Sequence, residues 1–538
     1  MSHTENRRIL WELRPASAVL SEYLRLLMLS LILFLILFVP GLSARESCLL
    51  LPEAKSSRPG AETLPLSYLS SEGRFLLHYT EEGFHAVAAA DEDRSGTADY
   101  IEAAGRYLEQ SYRLMMDTLG YAVPPVDNPN SPEIDVYFMD LGNGNYGETI
   151  LEALNTKTAR PHDYTGYMNI HNDFEGSFFY TGGEDALKVT CAHELFHVVQ
   201  LGYGLWDSGD VWFLESSSVW MEERAFPQVN DYYQYISNYS QRWGRRIDSY
   251  TYDNVGLNLY MESRDEGSML EVWDNILSER ALPSLTNYLG REYGDRAWSR
   301  FLAEWGLHMA ACGDYSSLEV SLFEDSRELP EPQNMYGIAA FQSDTLSSRV
   351  SVNPLAQSFY RLNFPSGQRN LEVDLRAEEE IAVYVLYYSG SPASAAGSEA
   401  VRILELSGQS SFFPSVEEGS EFVFAVGGGD SDSIEKLSAS LFFSSVSYRI
   451  HAVYPNPFNR AIGAHDLSVK LWYPGDAVNF EYSIFNILGR RVMHSPSATL
   501  AGSSELRIDW PDRLASGVYF LRFRIGDKVL TEKVTFIK

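Results

Sequence analysis

Two histidines four residues apart, His193 and His197 in the segment VTCAHELFHVVQLGYG, with Glu194 beside the first, are the residues of this chain best suited to do chemistry. On a helix, positions i and i+4 lie on one face about a turn apart, so both imidazoles can share one tetrahedral cation. Imidazole suits zinc, and a catalytic zinc site uses three protein ligands and keeps the fourth position for water. Zinc lowers the pKa of such a water toward ~7, and Glu194 can take its proton as it attacks a carbonyl carbon. The chemistry expected is metal-assisted amide hydrolysis.

The third ligand is sought on a following helix. In DVWFLESSSVWMEERAFP, Glu215 follows His197 after seventeen intervening residues, close to the separation that returns a glutamate to the same metal. Glu222 lies seven residues further on nearly the same helix face, and is the alternative third ligand or a partner that orients a histidine. Glu223 is off that face and is expected to be solvated. A donor for the oxyanion of the tetrahedral intermediate is also needed, with Tyr250, Tyr252, Tyr260 and His308 as candidates; among 33 tyrosines none is singled out by spacing.

A second ion is expected in an acidic loop. Asp91, Asp93, Ser95, Thr97 (through its carbonyl), Asp99 and Glu102 fall at positions 1, 3, 5, 7, 9 and 12 of an EF-hand-type loop, with Gly96 at the sharp turn. Calcium is plentiful outside the cell and would order the surrounding lobe. A solvated acidic turn that caps the helix from Tyr100 is the plainer alternative.

The elements that must hold these groups read as a mixed α/β region. RFLLHYT, EIDVYFMDL and TGYMNIHNDF alternate like strands; Tyr100–Leu119, Glu184–Gly202, Val211–Ala225 and most of Met269–Cys312 carry helical periodicity. From about Met335 the texture changes to short strand-like runs such as SFYRLNF, AVYVLYY and EFVFAVGGG, separated by Gly, Ser and acidic turns. The expected fold is multidomain: an α+β domain at 75–335, then two all-β sandwich or Ig-like units at 338–447 and 451–538. Residues 338–447 lack a catalytic constellation and are expected to be a spacer or a substrate-binding module.

At 538 residues the chain is too long for one core, and its 73 acidic against 42 basic side chains give a formal charge of -31, which disfavours nucleic acid and anionic lipid as partners. At the N-terminus Arg7, Arg8, Arg14 and Arg25 precede an apolar run from Leu26 to Val39 and a small-residue site ending at Ala44. Residues 1–44 therefore read as an export signal or, left uncleaved, an anchor, and 45–74 as a linker or short pro-segment. Arg7-Arg8 is a weak twin-arginine match. Of the three cysteines, Cys191 and Cys312 read either as a bridge or as two buried thiols.

Three resemblances sharpen this reading. HELFH with the downstream FLESSSVWMEE resembles the gluzincin metallopeptidases, the group that includes thermolysin and the aminopeptidase N family. That likeness implies a zincin-like fold for the α+β domain at 75–335, with His193, His197 and Glu215 as zinc ligands and Glu194 as catalytic base. It departs from the aminopeptidases, having no Gly-Ala-Met-Glu-Asn stretch and no Asn before Glu215, which disfavours exopeptidase action. The run from HYTEEG through DEDRSGTADYIEAAGRYLEQSY and DVYFMDLGNGNYGET resembles, over about residues 75–310, a family of secreted bacterial proteins assigned as metalloproteases. Finally YPNPFN, FEYSIFNILGRRV and GVYFLRFRIGDKVLTEKVTFIK, with Gly526-Asp527 as a hairpin turn, resemble the C-terminal sorting domain of type IX secretion substrates. The implied protein is a zinc-dependent endopeptidase of a Gram-negative-type bacterium, secreted or at the cell surface, acting on extracellular protein or peptide. Its other partner is the type IX machinery, and it meets membrane only during export or by surface attachment. The rival is a cell-surface binding or adhesive protein with an inactive zincin-like domain; hydrolysis of a non-peptide amide or a cell-wall peptide shares the same residues.

Overall fold

The computed structural model describes residues 49–538, except 51–57, 156–162, 205–207, 317–320, 340–344, 389–400, 460–465, 473–477 and shorter loop stretches at 127, 129, 143, 365–368, 378–379, 407–410, 417–418, 431–434, 447–448, 501–502, 512 and 526–527. The expected signal or anchor at 1–44, Cys48 and the Gly526-Asp527 turn lie outside the described residues. Among the described residues no helix is long and apolar enough to cross a membrane.

The first sheet has six strands in the order β1 (Leu49–Leu50), β5 (Gly147–Leu154), β6 (Tyr164–His171), β4 (Ile134–Met139), β3 (Phe75–Tyr79), β2 (Leu66–Leu69). Strands β3, β4 and β6 run parallel, and β5 runs antiparallel to β6. Of the residues between β1 and β3, expected as a linker or pro-segment, most of those described are exposed, but Arg58 and Leu64 tie the stretch to the sheet. Arg58 pairs with Asp135 and Glu152, and Leu64 is buried with Tyr137, Ile150 and Tyr167. β2 then extends the sheet at its other edge.

Two helices cover the opposite face of this sheet. α1 (Asp99–Tyr112) runs into a π-helical turn at Arg113–Thr118, close to the helix expected from Tyr100 to Leu119. α2 (Gly183–Leu201) carries the HELFH segment, and between Ala186 and Leu201 every residue but Lys188 is buried. A helix buried all round has no polar stripe to expose, so the imidazoles and carboxylate on it need internal partners. α3 (Val211–Ala225) packs against α2 and is also largely buried. The remaining helices are α4 (Tyr233–Arg242), α5 (Val255–Arg264), α6 (Ser268–Ile276), α7 (Ala281–Tyr293) and α8 (Ala297–Ala310).

The rest of the chain is all-β. β8 (Thr345–Val352), β10 (Arg369–Ala377), β13 (Ser411–Val416) and β15 (Leu437–Val446) form one sheet; β7 (Tyr336–Gly337), β9 (Gln357–Asn363), β11 (Ile381–Tyr388), β12 (Val401–Glu405) and β14 (Glu421–Gly428) form the other. Their facing sides share one core, which includes Val350, Val373, Val383, Phe424 and Phe443. The outer face of the five-stranded sheet is not solvated. Ala382, Tyr384, Leu386 and Tyr388 of β11, with Val423 and Ala425 of β14, are buried against Ala303, Leu307 and Ala310 of α8. Hence every residue of β11 is buried, and its unbroken apolar run is that of a strand covered on both faces.

Strands β16 (Arg449–Tyr454), β18 (Asp466–Trp472) and β22 (Ser503–Asp509) make a three-stranded sheet. β17 (Phe458–Asn459), β19 (Val478–Asn486), β20 (Arg491–His494), β21 (Ala498–Leu500), β23 (Gly517–Ile525) and β24 (Lys528–Ile537) make a second one. In β23, Tyr519, Leu521, Phe523 and Ile525 enter the core between them while Phe520, Arg522 and Arg524 point out, the period of two expected of a strand with one wet face.

Candidate metal centre

His193 and His197 project from one face of α2 toward α3, as their spacing requires. Their Nε2 atoms are 3.1 Å apart, and Oε2 of Glu215 on α3 is 3.4 Å from each. A tetrahedral cation with donor bonds of about 2.0–2.1 Å needs its donors about 3.3 Å apart, so the three atoms form one face of such a tetrahedron. All three side chains are buried. Of the two glutamates weighed from sequence, Glu215 stands at the third vertex, and Glu222 accepts instead from Nδ1 of His193 at 2.5 Å. A carboxylate behind a ligating imidazole fixes the ring and raises its basicity.

The electrostatics of this cluster are those of a pocket with too many negative charges for its own cations. Burial acts against charge on His193, yet the carboxylates of Glu215 and Glu222 outweigh it and hold the imidazole well above its ordinary range. Burial also acts against charge on Glu215, but the two imidazoles hold it well below the usual carboxylate range. Burial pushes Glu222 up to about 7. A divalent cation at the triangle would take over the role that the proton on His193 plays without it.

Glu194 is buried on the same helix, and its pKa is raised, burial outweighing the nearby imidazoles. Its Oε2 accepts from the Thr149 hydroxyl at 2.7 Å. Gly147, at the start of β5, lies against it: a Cβ there would be 2.7 Å from Glu194 Cγ and 2.8 Å from Oε1. Thr149 and Gly147 both belong to the NYGET stretch, but its bearing on Glu194 is a tertiary contact. Gln200, one turn beyond His197, is the other residue that sequence reasoning missed; its side-chain oxygen is 2.7 Å from Nδ1 of His197.

Of the oxyanion candidates, the structure brings one to the triangle. Tyr252 stacks on His193 with ring centroids 5.9 Å apart. Tyr250 donates to the Arg242 carbonyl at 2.8 Å, and Tyr260 packs on His308 and Phe301 in the helical core. Glu223 is not the solvated residue expected: it is partly buried and, chiefly through burial and the neighbouring Asp325, Glu222 and Glu324, its pKa rises to about 8. Cys191 and Cys312 are buried free thiols and form no bridge.

In the acidic loop the carboxylates of Asp91, Asp93 and Asp99 converge, with oxygens within 4.8 Å of one another. The amides of Ser95 and Gly96 donate to Asp91 at 2.9 and 3.0 Å, and the Ser95 hydroxyl donates to the Thr97 carbonyl at 3.3 Å. Glu102, in the first turn of α1, is not among the converging carboxylates.

The last 87 residues decide the address. Residues 452–538 match the family model described as a secretion system C-terminal sorting domain. They are a type IX secretion sorting domain. The sorting domain directs the chain to the type IX machinery and to the cell surface or the extracellular space. No curated protein matches the chain. Solved structures align over short stretches. β-Glucuronidase of Bifidobacterium dentium, complexed with coumarin-3-O-glucuronide, is 12% identical over 34% of this chain and 38% of its own, at a TM-score of 0.18. The periplasmic inhibitor of g-type lysozyme from Aeromonas hydrophila is 15% identical over 21% of this chain and 97% of its own, at a TM-score of 0.15. The chain thus spans little more than a third of the length of the first of these, and likenesses of this degree say nothing about its activity.

Proposed function

We propose that this protein is an exported zinc-dependent endopeptidase that hydrolyses peptide bonds of extracellular proteins, and that residues 75–335 are a zincin-like catalytic domain. The observation that carries the reading is the triangle of His193, His197 and Glu215 donor atoms, 3.1 and 3.4 Å on its edges, with a buried carboxylate one residue from the first ligand. Zinc, when bound, supplies Lewis acidity toward water and toward a carbonyl oxygen. The chain's own part is proton handling. Glu194, its basicity raised by burial, takes the proton of a water facing the scissile carbonyl carbon and delivers it to the leaving amine nitrogen. Tyr252 is the candidate donor to the developing oxyanion. The loop from Asp91 to Asp99 is read as a calcium site that orders the start of α1, in which case millimolar calcium raises the Tm of wild type and leaves that of Asp91→Asn unchanged.

The test is zinc content and casein hydrolysis of wild type beside Glu194→Gln, with calcium present. The expected result is one zinc per chain in both proteins and a loss of about 10²–10⁴-fold in hydrolysis in the variant. Wild type that holds no zinc and cuts nothing would give the lead to the rival reading, a surface binding protein on an inactive zincin-like scaffold.

A further inference from the structure

The two imidazoles of the triangle are held from behind by unlike partners. Behind His193 stands the Glu222 carboxylate, 2.5 Å from Nδ1. Behind His197 stands the Gln200 amide, its Oε1 2.7 Å from Nδ1. Gln200 is fully buried.

Which end of an amide faces a ring is decided by its other neighbours. Gln200 Nε2 lies 3.0 Å from the Leu214 carbonyl, 3.1 Å from Ser218 Oγ and 3.2 Å from Ser217 Oγ. A backbone carbonyl only accepts, so the amide nitrogen must face Leu214. Ser217 agrees with this, because its hydroxyl donates to the Phe213 carbonyl at 2.6 Å and its oxygen is left to accept. The amide oxygen therefore faces His197. Since that oxygen only accepts, Nδ1 must carry the hydrogen, and a neutral ring then leaves Nε2 bare. Nε2 is the atom at the triangle vertex.

We propose that Gln200 is a positioning residue that fixes the tautomer of His197 and ties α2 to α3, so that the donor atoms keep their spacing before any cation arrives. The cation it serves is the one proposed above; the tautomer is a property of the metal-free chain. The choice of an amide over a second carboxylate has a physical reason. Glu194, Glu215 and Glu222 already place three carboxylates in one buried pocket, and a fourth would add desolvation and repulsion that one divalent cation could not offset. An amide gives the ring the same acceptor without the charge.

The test is two-bond 15N–1H correlation on the full chain labelled with 15N-histidine, stripped of metal by chelation and held at pH 8, with the resonances assigned through His197→Gln. The expected spectrum has the His197 hydrogen on Nδ1 and a bare Nε2; a hydrogen on Nε2, or an averaged pattern, overturns the proposal. In Gln200→Leu the pattern becomes averaged and zinc affinity, measured by competition with a chromogenic chelator, falls about 10–100-fold. The wild-type tautomer carries the test by itself should the leucine variant fail to fold. Leucine substitution without effect on tautomer or affinity also overturns it. Wild type that shows the tautomer but takes up no zinc removes the metal reading and leaves the assignment of Gln200 standing.

Discussion

Glu194 is pulled two ways. Burial raises its pKa, while His193, His197 and the Thr149 hydroxyl lower it. Thr149→Val removes a donor to the charged form while nearly conserving shape. The pKa of Glu194 then rises further, and because only the ionised carboxylate accepts a proton, the acidic limb of kcat/KM moves to higher pH. A hydrogen bond to a charged group of about 1.5 kcal/mol corresponds to a shift of about one unit. An unmoved limb in a pH–rate profile would show that Thr149 does not act on the base. Glu223 gives a second, independent pH signal. Its folded pKa of about 8 exceeds the unfolded value, so the stability from its protonated form is full below about 4.3 and is lost as pH rises to about 8. Glu223→Gln should therefore raise Tm at pH 9 and leave it nearly unchanged at pH 4; a variant with the same Tm difference at both would disprove the linkage. The residues legible from sequence at this scale are those with a local rule. His193, Glu194 and His197 share one helix, and the i, i+4 spacing suffices to bring the two rings together. Thr149 lies 45 residues from Glu194, and no local pattern could announce that contact. Glu223 was misread because helix periodicity describes one helix and does not show the acidic side chains of a segment a hundred residues later.

At the scale of elements, strand and helix periods were legible wherever an element buries one face, as in β23. They say less where an element is covered all round. The apolar run of β11 reads as a strand, but does not say what covers its second face, and only the presence of α8 on its outer side explains it. Gly427, near the end of β14, has the same origin. A Cβ at Gly427 would lie 2.0 Å from the Ser299 carbonyl oxygen and 2.6 Å from the Ala303 amide, both backbone atoms of α8. Backbone cannot swing aside as a side-chain tip can, so Gly427→Ala must push helix and sheet apart. The expected cost is about 2–3 kcal/mol in urea unfolding. Gly337, whose added Cβ meets nothing within 4 Å, is the control, and Gly337→Ala should change stability by less than about 0.5 kcal/mol. Equal effects at the two positions would mean that α8 does not seat on β14 this closely.

For the whole molecule, the contact between α8 and the five-stranded sheet changes what residues 338–447 are for. Their composition fits a spacer, and a spacer would be joined to its neighbours by solvated chain. Instead Leu355, held at φ 50, is buried in the core of the helical region. Gln357, buried, accepts from the Tyr239 hydroxyl at 2.7 Å and donates to the Leu302 carbonyl at 2.7 Å. The amide of Ile247 donates to the Leu355 carbonyl at 2.8 Å, and Asn353 donates to the Gly244 carbonyl at 2.6 Å. Cutting the chain at residue 336 would leave these polar groups without partners and expose Ala303, Leu307 and Ala310 of α8, whereas a cut at 447 leaves every one of the contacts intact. The helices that approach the triangle would then rest on a helix stripped of one face, and Tyr252, five residues beyond Ile247, would lose the support that stacks it on His193. The chain ended at 447 should thus melt cooperatively and bind zinc as the full chain does, while the chain ended at 336 should aggregate or bind a hydrophobic dye without a cooperative transition. A soluble, zinc-binding, cooperatively melting fragment ending at 336 would return the sandwich to the role of spacer.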